Sequence, residues 1–507
     1  MRVLFLLIFL AVFTPSFSQN TPFQKKLPAI DRYIDSFMHT WNIPGLALCI
    51  VYKDQLIYAK GYGYRDLENK LPVDAQTIFP IASNSKLFTA TAACMLEGEG
   101  KLSLDKPARD YLPSLRFSND ELNTKVTLRD MLAHRTGLPG NNGLWVSSPA
   151  TRNELVQQVS SIRPALGFRE GYIYNNMMFV ASGAVMEAVT GKSWENIIRE
   201  KLLGPLQMNA TGFFGEAKVT GSNIAYPYFN PDTSRTLKRR TQVAQTPALG
   251  PAGTMLSNLE DMSHWMIAQL NGGKYKGVQA IPVKAIQQTL VPNAVADREG
   301  KWPELSNALY GLGRNIQTYK GYKIATHTGS IDGFYSNLTF IPSDSLAVFM
   351  VHNSIPAGSV RSIMAFPVFD RLLGLSITDW SGRYLLDYKQ DVANETRARD
   401  SVAATQLKNT TPSHVLQEYA GRYTHPIYGE VVIDIENGSL IFSYRGSKTA
   451  LHHFHYDQFI TREERNSGNA EFRLHFLTNT NGQIDRFSMR PYGDPVVEFV
   501  KEVERGK

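Results

Sequence analysis

Ser83 and Lys86 stand three residues apart in "IASNSKLFTA", a run that otherwise reads as a buried helix. A serine hydroxyl becomes a useful nucleophile when a neighbouring base takes its proton. An amine can act as that base when burial has depressed its pKa. The flanking "FPIA" and "LFTATAACML" supply the apolar surroundings. A helix beginning at Ser83 puts Lys86 one turn on, on the same face, and sets the serine at the positive end of the helix dipole. The same spacing recurs at Ser103 and Lys106 in "LSLDKP", where Pro107 follows directly and the segment reads as a surface turn. Spacing alone is a weak signal, so its surroundings must decide.

Other residue types capable of chemistry are scattered. Tyr174 and Asn176 precede an apolar helical run in "EGYIYNNMMFVASGAVMEAVTGKSWEN", and His327, Thr328, Gly329 and Ser330 open the strand-like "HTGSIDGFYSNLTFIP". Cys49 and Cys94 lie in apolar contexts, which reads first as two buried free thiols and second as a single disulfide, and neither has the neighbours of a nucleophile or a zinc ligand. Of His452, His453 and His455, only the last two share a strand face, and no third ligand is evident. No metal and no cofactor is expected.

The elements that must position these residues follow from periodicity. Residues 27–41 repeat apolar side chains at helical spacing, and "GLALCIVYKDQLIYAKGYG" reads as two strands about a turn at Lys53 and Asp54. "VTLRDMLAHRTGLPG" reads as a helix stopped by Gly137 and Pro139. In "SNLEDMSHWMIAQLNGG", Ser257 and Glu260 form a capping box and Gly272 and Gly273 end the helix. From Tyr310 to Asn353 the pattern is consecutive strands. Strands at both ends with helices between them predict an α+β fold: one antiparallel sheet flanked by helices, with a helical subdomain. Residues 376–412 read as a helical connector and linker. Residues 413–507 are strand-rich, with Asn437-Gly438 as a hairpin turn, and predict a small β-barrel or sandwich.

The Ser83–Lys86 pair does not stand alone. In chain order, Ser83/Lys86, Tyr174-x-Asn176 and His327-Thr328-Gly329 resemble the three motifs of the serine β-lactamase and penicillin-binding-protein superfamily, in its class C-like branch of esterases and peptidases. "MLAHRTGLPG" and "PAGTMLSNLEDM" are similar to the same branch, and the resemblance spans residues 25–375. It implies Ser83 as nucleophile of an acyl-enzyme, with Lys86 and Tyr174 sharing a proton shuttle, Tyr174 as a phenolate-type base. It also implies Asn176 holding Lys86 and the substrate amide, and the N–H groups of Ser83 and Ser330 as the oxyanion hole. Where antibiotic-hydrolysing members generally carry lysine, this chain has His327. Near its reference pKa of about 6.5, imidazole is mostly neutral at pH 7, which disfavours strong carboxylate recognition. "YAGRYTHPIYGEVVIDIENGSLIFSY" and "LHHFHYDQFI" resemble the lipocalin-like barrel appended to such hydrolases.

Residues 1–18 carry one positive charge, an apolar run from Val3 to Phe13, and Ser16 and Ser18 at the small-residue positions of a cleavage site. They read as a signal peptide, which predicts a secreted or periplasmic protein. Removing them takes away only Arg2, so the formal charge falls from +7 to +6. Basic residues are spread along the chain, so neither a nucleic-acid partner nor a membrane patch is implied, and no later run is long enough to span a bilayer. The sequence thus predicts a serine hydrolase domain at 19–375, a connector at 376–412 and a barrel at 413–507. Its partner is a small peptide, amide or ester, a peptide first. The alternatives are a carboxylesterase with minor β-lactamase activity and a catalytically silent binding or sensor protein.

Overall fold

The structure is a computed structural model that describes residues 21–216, 221, 223–230, 235–240, 246–297, 301–462 and 471–502. The expected leader, residues 1–18, lies outside the described residues. A nine-stranded antiparallel sheet forms the body, in the order Ala294–Asp297, Ala308–Tyr310, Asn315–Tyr319, Tyr322–Ile331, Phe334–Ile341, Leu346–His352, Gly45–Tyr52, Gln55–Asp66 and Leu71–Pro72. The sheet's first strand in the chain, Gly45–Tyr52, lies inside it beside its last, Leu346–His352, in the register Cys49 to Phe349.

The unbroken apolar run "LALCIV" follows from burial on both faces. Leu46, Leu48 and Ile50 point into one core, and Ala47, Cys49 and Val51 into the other, as the two-residue period of a strand requires. The first core is covered by helix Leu27–Trp41, whose Ile30, Ile34 and Phe37 are buried, and by helix Phe366–Leu373. Each such side chain contributes roughly 1.5–3 kcal/mol by leaving water. Asn42, at φ 52°, turns the chain from the first helix into the sheet. On the opposite face, helix Ser85–Gly98 is buried almost all round, between the sheet and helix Asn176–Thr190. The fold is α+β, one antiparallel sheet flanked by helices on both faces. Cys49 and Cys94 are buried and free.

Helix Trp380–Ala404 runs on from the body, anchored by the buried Trp380, with Leu386 left exposed. Beyond it, eight strands from Gly421–His425 to Val497–Lys501 close into a barrel, the first pairing with the last through Tyr423 and Lys501. Tyr423, Phe442, Tyr444, Phe476, Phe487 and Phe499 are all buried in it. Their rings pack against one another, so aromatic side chains occupy the interior. Among the described residues, no helix is long and apolar enough to cross a membrane.

Two helix ends differ from the sequence reading. The cap of helix Leu259–Leu270 is Asn258, which accepts the Asp261 N–H at 2.9 Å. Ser257 instead ends strand Met255–Ser257, and its hydroxyl meets that of Thr211. Helix Leu128–Leu132 stops well before Gly137, because His134 takes a left-handed φ of 57° that an α-helix cannot accommodate.

Candidate active site

Strand Phe79–Pro80 feeds a 3-10 turn, Ala82–Asn84, and the α-helix starts only at Ser85. Ser83 is therefore in the turn and is not the first helical residue, as the sequence had suggested. The reason is local: Ser85 Oγ donates to Ala82 O at 2.7 Å and accepts the Met255 N–H at 3.1 Å, so Ser85 ties the turn down and Ser83 is left without that duty. Ala82 is left-handed at φ 49°.

Lys86 is fully buried. Its Nζ donates to Asn176 Oδ1 at 2.7 Å and to the Ala252 carbonyl at 2.6 Å, and lies 3.1 Å from Ser83 Oγ. The first two partners can only accept, and they claim two of its protons. The third position faces Ser83, where an ammonium donates and a neutral amine offers its lone pair. Burial holds the Lys86 pKa well below the usual lysine value, which favours the neutral form.

The Tyr174 hydroxyl lies near enough to Ser83 to feel its side chain, and Lys86 Nζ lies 4.8 Å from the Tyr174 ring centroid. Burial pushes the phenol above its ordinary value despite the nearby Ser83 side chain, so at neutral pH it is a protonated phenol and not the phenolate expected from sequence. Asn175 caps the following helix by accepting the Met178 N–H at 3.2 Å.

His327, Thr328, Gly329 and Ser330 lie on strand Tyr322–Ile331, directly against the Ser83 turn. A Cβ at Gly329 would sit 2.3 Å from the Ile81 carbonyl and 3.0 Å from the Ala82 Cβ, so only glycine lets strand and turn meet. Ser336 Oγ locks the pair by donating to Ile81 O at 2.8 Å. His327 is 3% exposed. Its Nδ1 donates to Thr328 O at 2.6 Å, and its Nε2 lies 3.1 Å from the Tyr310 hydroxyl, from which the neutral imidazole accepts. Burial, with Lys86 nearby, pushes its pKa down to about 3. The reference value of about 6.5 is therefore displaced downward, and the neutral form expected at pH 7 is favoured further; the Tyr174 ring centroid is 6.2 Å away.

His134 and Tyr310 were not singled out from the sequence. His134 accepts the Asn175 N–H at Nδ1, 3.1 Å away, and its ring lies 4.4 Å from that of Tyr174. Ser103 and Lys106 are remote from this cluster: the Ser103 hydroxyl accepts the Asp105 N–H, and Lys106 is exposed.

Residues 30–365 match the family model described as Beta-lactamase. The chain belongs to the β-lactamase family. Members of this fold family are generally serine hydrolases. Residues 405–505 match a second model, Domain of unknown function (DUF3471). A curated β-lactamase-family relative, Unguisins hydrolase ungD' of Aspergillus campestris, is 26% identical over 413 residues, 78% of this chain and 75% of its own. Protein flp of Staphylococcus aureus is 26% identical over 336 residues, 64% of this chain and 62% of its own. The octameric penicillin-binding protein homologue from Pyrococcus abyssi superposes with a TM-score of 0.60 at 21% identity, covering 94% of this chain and 100% of that one, a likeness of fold.

Proposed function

We propose that this protein is a serine hydrolase that cleaves amide or ester bonds through an acyl-Ser83 intermediate, with peptides as its substrates. The observation that carries the reading is Lys86: a buried amine with two obligate acceptors and its remaining position on Ser83 Oγ.

In the proposed cycle, neutral Lys86 takes the Ser83 proton as Oγ attacks the substrate carbonyl carbon. The N–H groups of Ser83 and Ser330 hold the resulting oxyanion, an effect typically worth a few kcal/mol. Collapse breaks the bond to the leaving nitrogen or oxygen, which takes a proton from the Tyr174 hydroxyl, with Lys86 resupplying it. Water then attacks the acyl ester by the reverse route, and Ser83 regains its proton. Asn176 fixes Lys86, and the buried neutral His327 steadies Tyr310 and Thr328.

The peptide preference is supported by an open edge. Strand Tyr322–Ile331 pairs on one side up to Ile331 with Phe334, but on the other only as far as Thr326 with Asn315. Among the described residues no strand pairs with 328–331 there, and Ser330 is exposed. An extended amide chain can add to such an edge through its backbone. The hydrolase named for the A. campestris relative is in keeping with this reaction class. Export, expected from residues 1–18, belongs to the same proposal and is tested by N-terminal sequencing of the mature protein.

The decisive experiment is labelling with a fluorophosphonate, intact mass and peptide mapping, followed by D- and L-aminoacyl amides against short esters. One adduct on the Ser83 peptide, lost in Ser83→Ala and kept in Ser103→Ala, is the expected result. An adduct that persists in Ser83→Ala rejects the assignment.

A further inference from the structure

The barrel meets the hydrolase body at loop 139–147, and this loop reaches the candidate site from both ends. At its start, Asn175 Nδ2, adjacent to Tyr174, donates to Pro139 O at 2.7 Å and Leu138 O at 3.2 Å. A Cβ at Gly140 would lie 3.5 Å from the Tyr174 carbonyl oxygen. Toward its end, Trp145 O accepts from Thr246 Oγ1 at 3.1 Å. From Thr246 the chain continues through Pro247–Leu249 and Gly250–Gly253, which contains the Ala252 carbonyl bound to Lys86.

The middle of the loop is held by the barrel. Asp494, 6% exposed, accepts the Gly143 N–H at 2.9 Å and the Tyr428 hydroxyl at 3.2 Å. Arg445 donates to Gly143 O at 2.6 Å, to Val146 O at 2.8 Å and to its own domain's Tyr428 O at 3.2 Å. Gly143 thus has its N–H on an acid and its C=O on a base of the other domain. A side chain there would meet Asp494 Oδ2 at 2.6 Å and Pro491 O at 2.8 Å. A connecting loop is ordinarily among the more mobile parts of a fold. Charge-assisted bonds to both backbone groups of one residue remove that freedom.

On the acyl-serine reading above, we infer that Arg445 and Asp494 are positioning residues that fix loop 139–147 as a wall of the substrate cleft beside Tyr174, so that the barrel selects substrates by length. The wall favours short amides, and freeing it admits longer peptides.

The test uses the full chain with Asp494→Asn, Arg445→Ala and Arg445→Lys. Competent sites are counted by fluorophosphonate labelling, folding is checked by circular dichroism, and kcat and KM are measured for an aminoacyl amide and a tetrapeptide amide. In Asp494→Asn and Arg445→Ala, the tetrapeptide-to-aminoacyl ratio of kcat/KM should rise about tenfold, mostly through KM. Hydrogen exchange at residues 142–146 should quicken in parallel. Arg445→Lys keeps the charge but not the fork, so it should fall between, and it serves as the folded variant if Arg445→Ala does not fold. A ratio unchanged, or shifted toward the short substrate, overturns the inference. A wild-type chain whose Ser83 takes no label instead counts against the serine-hydrolase reading on which the inference stands.

Discussion

Gly329 and Ile81 approach so closely that a single methyl group would separate the Ser83 turn from the strand that carries the third motif. Gly329→Ala would place its Cβ 2.3 Å from both Ile81 O and Ser336 Oγ. Something must shift, and overpacking of this kind costs about 1–3 kcal/mol. The expected outcome is a modest drop in melting temperature and a loss of about a hundredfold in kcat/KM, since small displacements at a reacting centre are expensive. Calorimetry and the rate of fluorophosphonate labelling check the two halves separately. A variant that labels at the wild-type rate rejects the coupling of turn and strand.

Lys86→Met keeps the length of the side chain and removes the base. Labelling of Ser83 should slow by about 10²–10⁴-fold. In the wild type the rate should rise with pH through the depressed Lys86 pKa, and this limb should vanish in the variant. The sign for stability follows from the same shift. The unfolded chain holds the Lys86 proton up to the ordinary lysine value of 10.5, while the folded chain releases it earlier. The Lys86 contribution to stability therefore grows as pH rises from the folded value toward 10.5, and is lost as pH falls through it. Paired melts of wild type and Lys86→Met across pH read this difference.

Burial pushes the His327 pKa down to about 3, which leaves the imidazole neutral between pH 8 and 5. The preference for amides over matched free acids should stay flat between pH 8 and 5. An inflection near pH 6 in that ratio, absent from His327→Ala, would show that the imidazole titrates and is not locked neutral between Thr328 and Tyr310.

Acid should unfold the protein partly through its buried imidazoles. His134, His327 and His352 are all depressed by burial, His327 and His352 to about 3. Each is neutral when folded and takes a proton on unfolding below about 6.5, so the stability it contributes is present above 6.5 and lost as pH falls toward 3. Calorimetry in two buffers of different ionisation enthalpy at pH 5 should register proton uptake on unfolding. Uptake no greater than the carboxylates supply counts against the neutral assignment.

His134→Phe retains a ring against Tyr174 but loses the acceptor for the Asn175 N–H. About a tenfold fall in kcat with little change in KM is expected, because the variant loosens the peptide that follows Tyr174 without touching the substrate. A change confined to KM would place His134 in substrate binding.

The residues legible in the sequence were those whose side chains announce themselves in order: Ser83, Lys86, Tyr174, Asn176 and the His327 strand. Gly45–Tyr52 was legible because burial on both faces leaves an unbroken apolar run. Four things were not. Ala252 acts through its carbonyl, which every residue possesses, so nothing in "PAGTM" marks it. His134 sits in a run with good helical propensity, and its left-handed backbone is held by tertiary bonds, from the Ile173 N–H to its carbonyl at 2.9 Å and from the Asn175 N–H to its ring. The depth of the His327 depression and the charge state of Tyr174 depend on burial by elements far along the chain, whereas a reference pKa describes a residue in water. Gly143 gave no sign of its task, because its partners Arg445 and Asp494 lie some three hundred residues on, in another domain.

The open side of 328–331 also sets a rule for inhibitors. Along a strand edge, successive residues point their amides alternately toward the partner and away from it. A peptide seated there therefore donates from every second nitrogen. Methylating the backbone nitrogens one at a time should give a sawtooth in affinity, with one phase of the alternation silent and the other destructive. The silent positions are where a methyl group can block proteolysis of the ligand at no cost in binding, and their parity reports which strand register the ligand adopts.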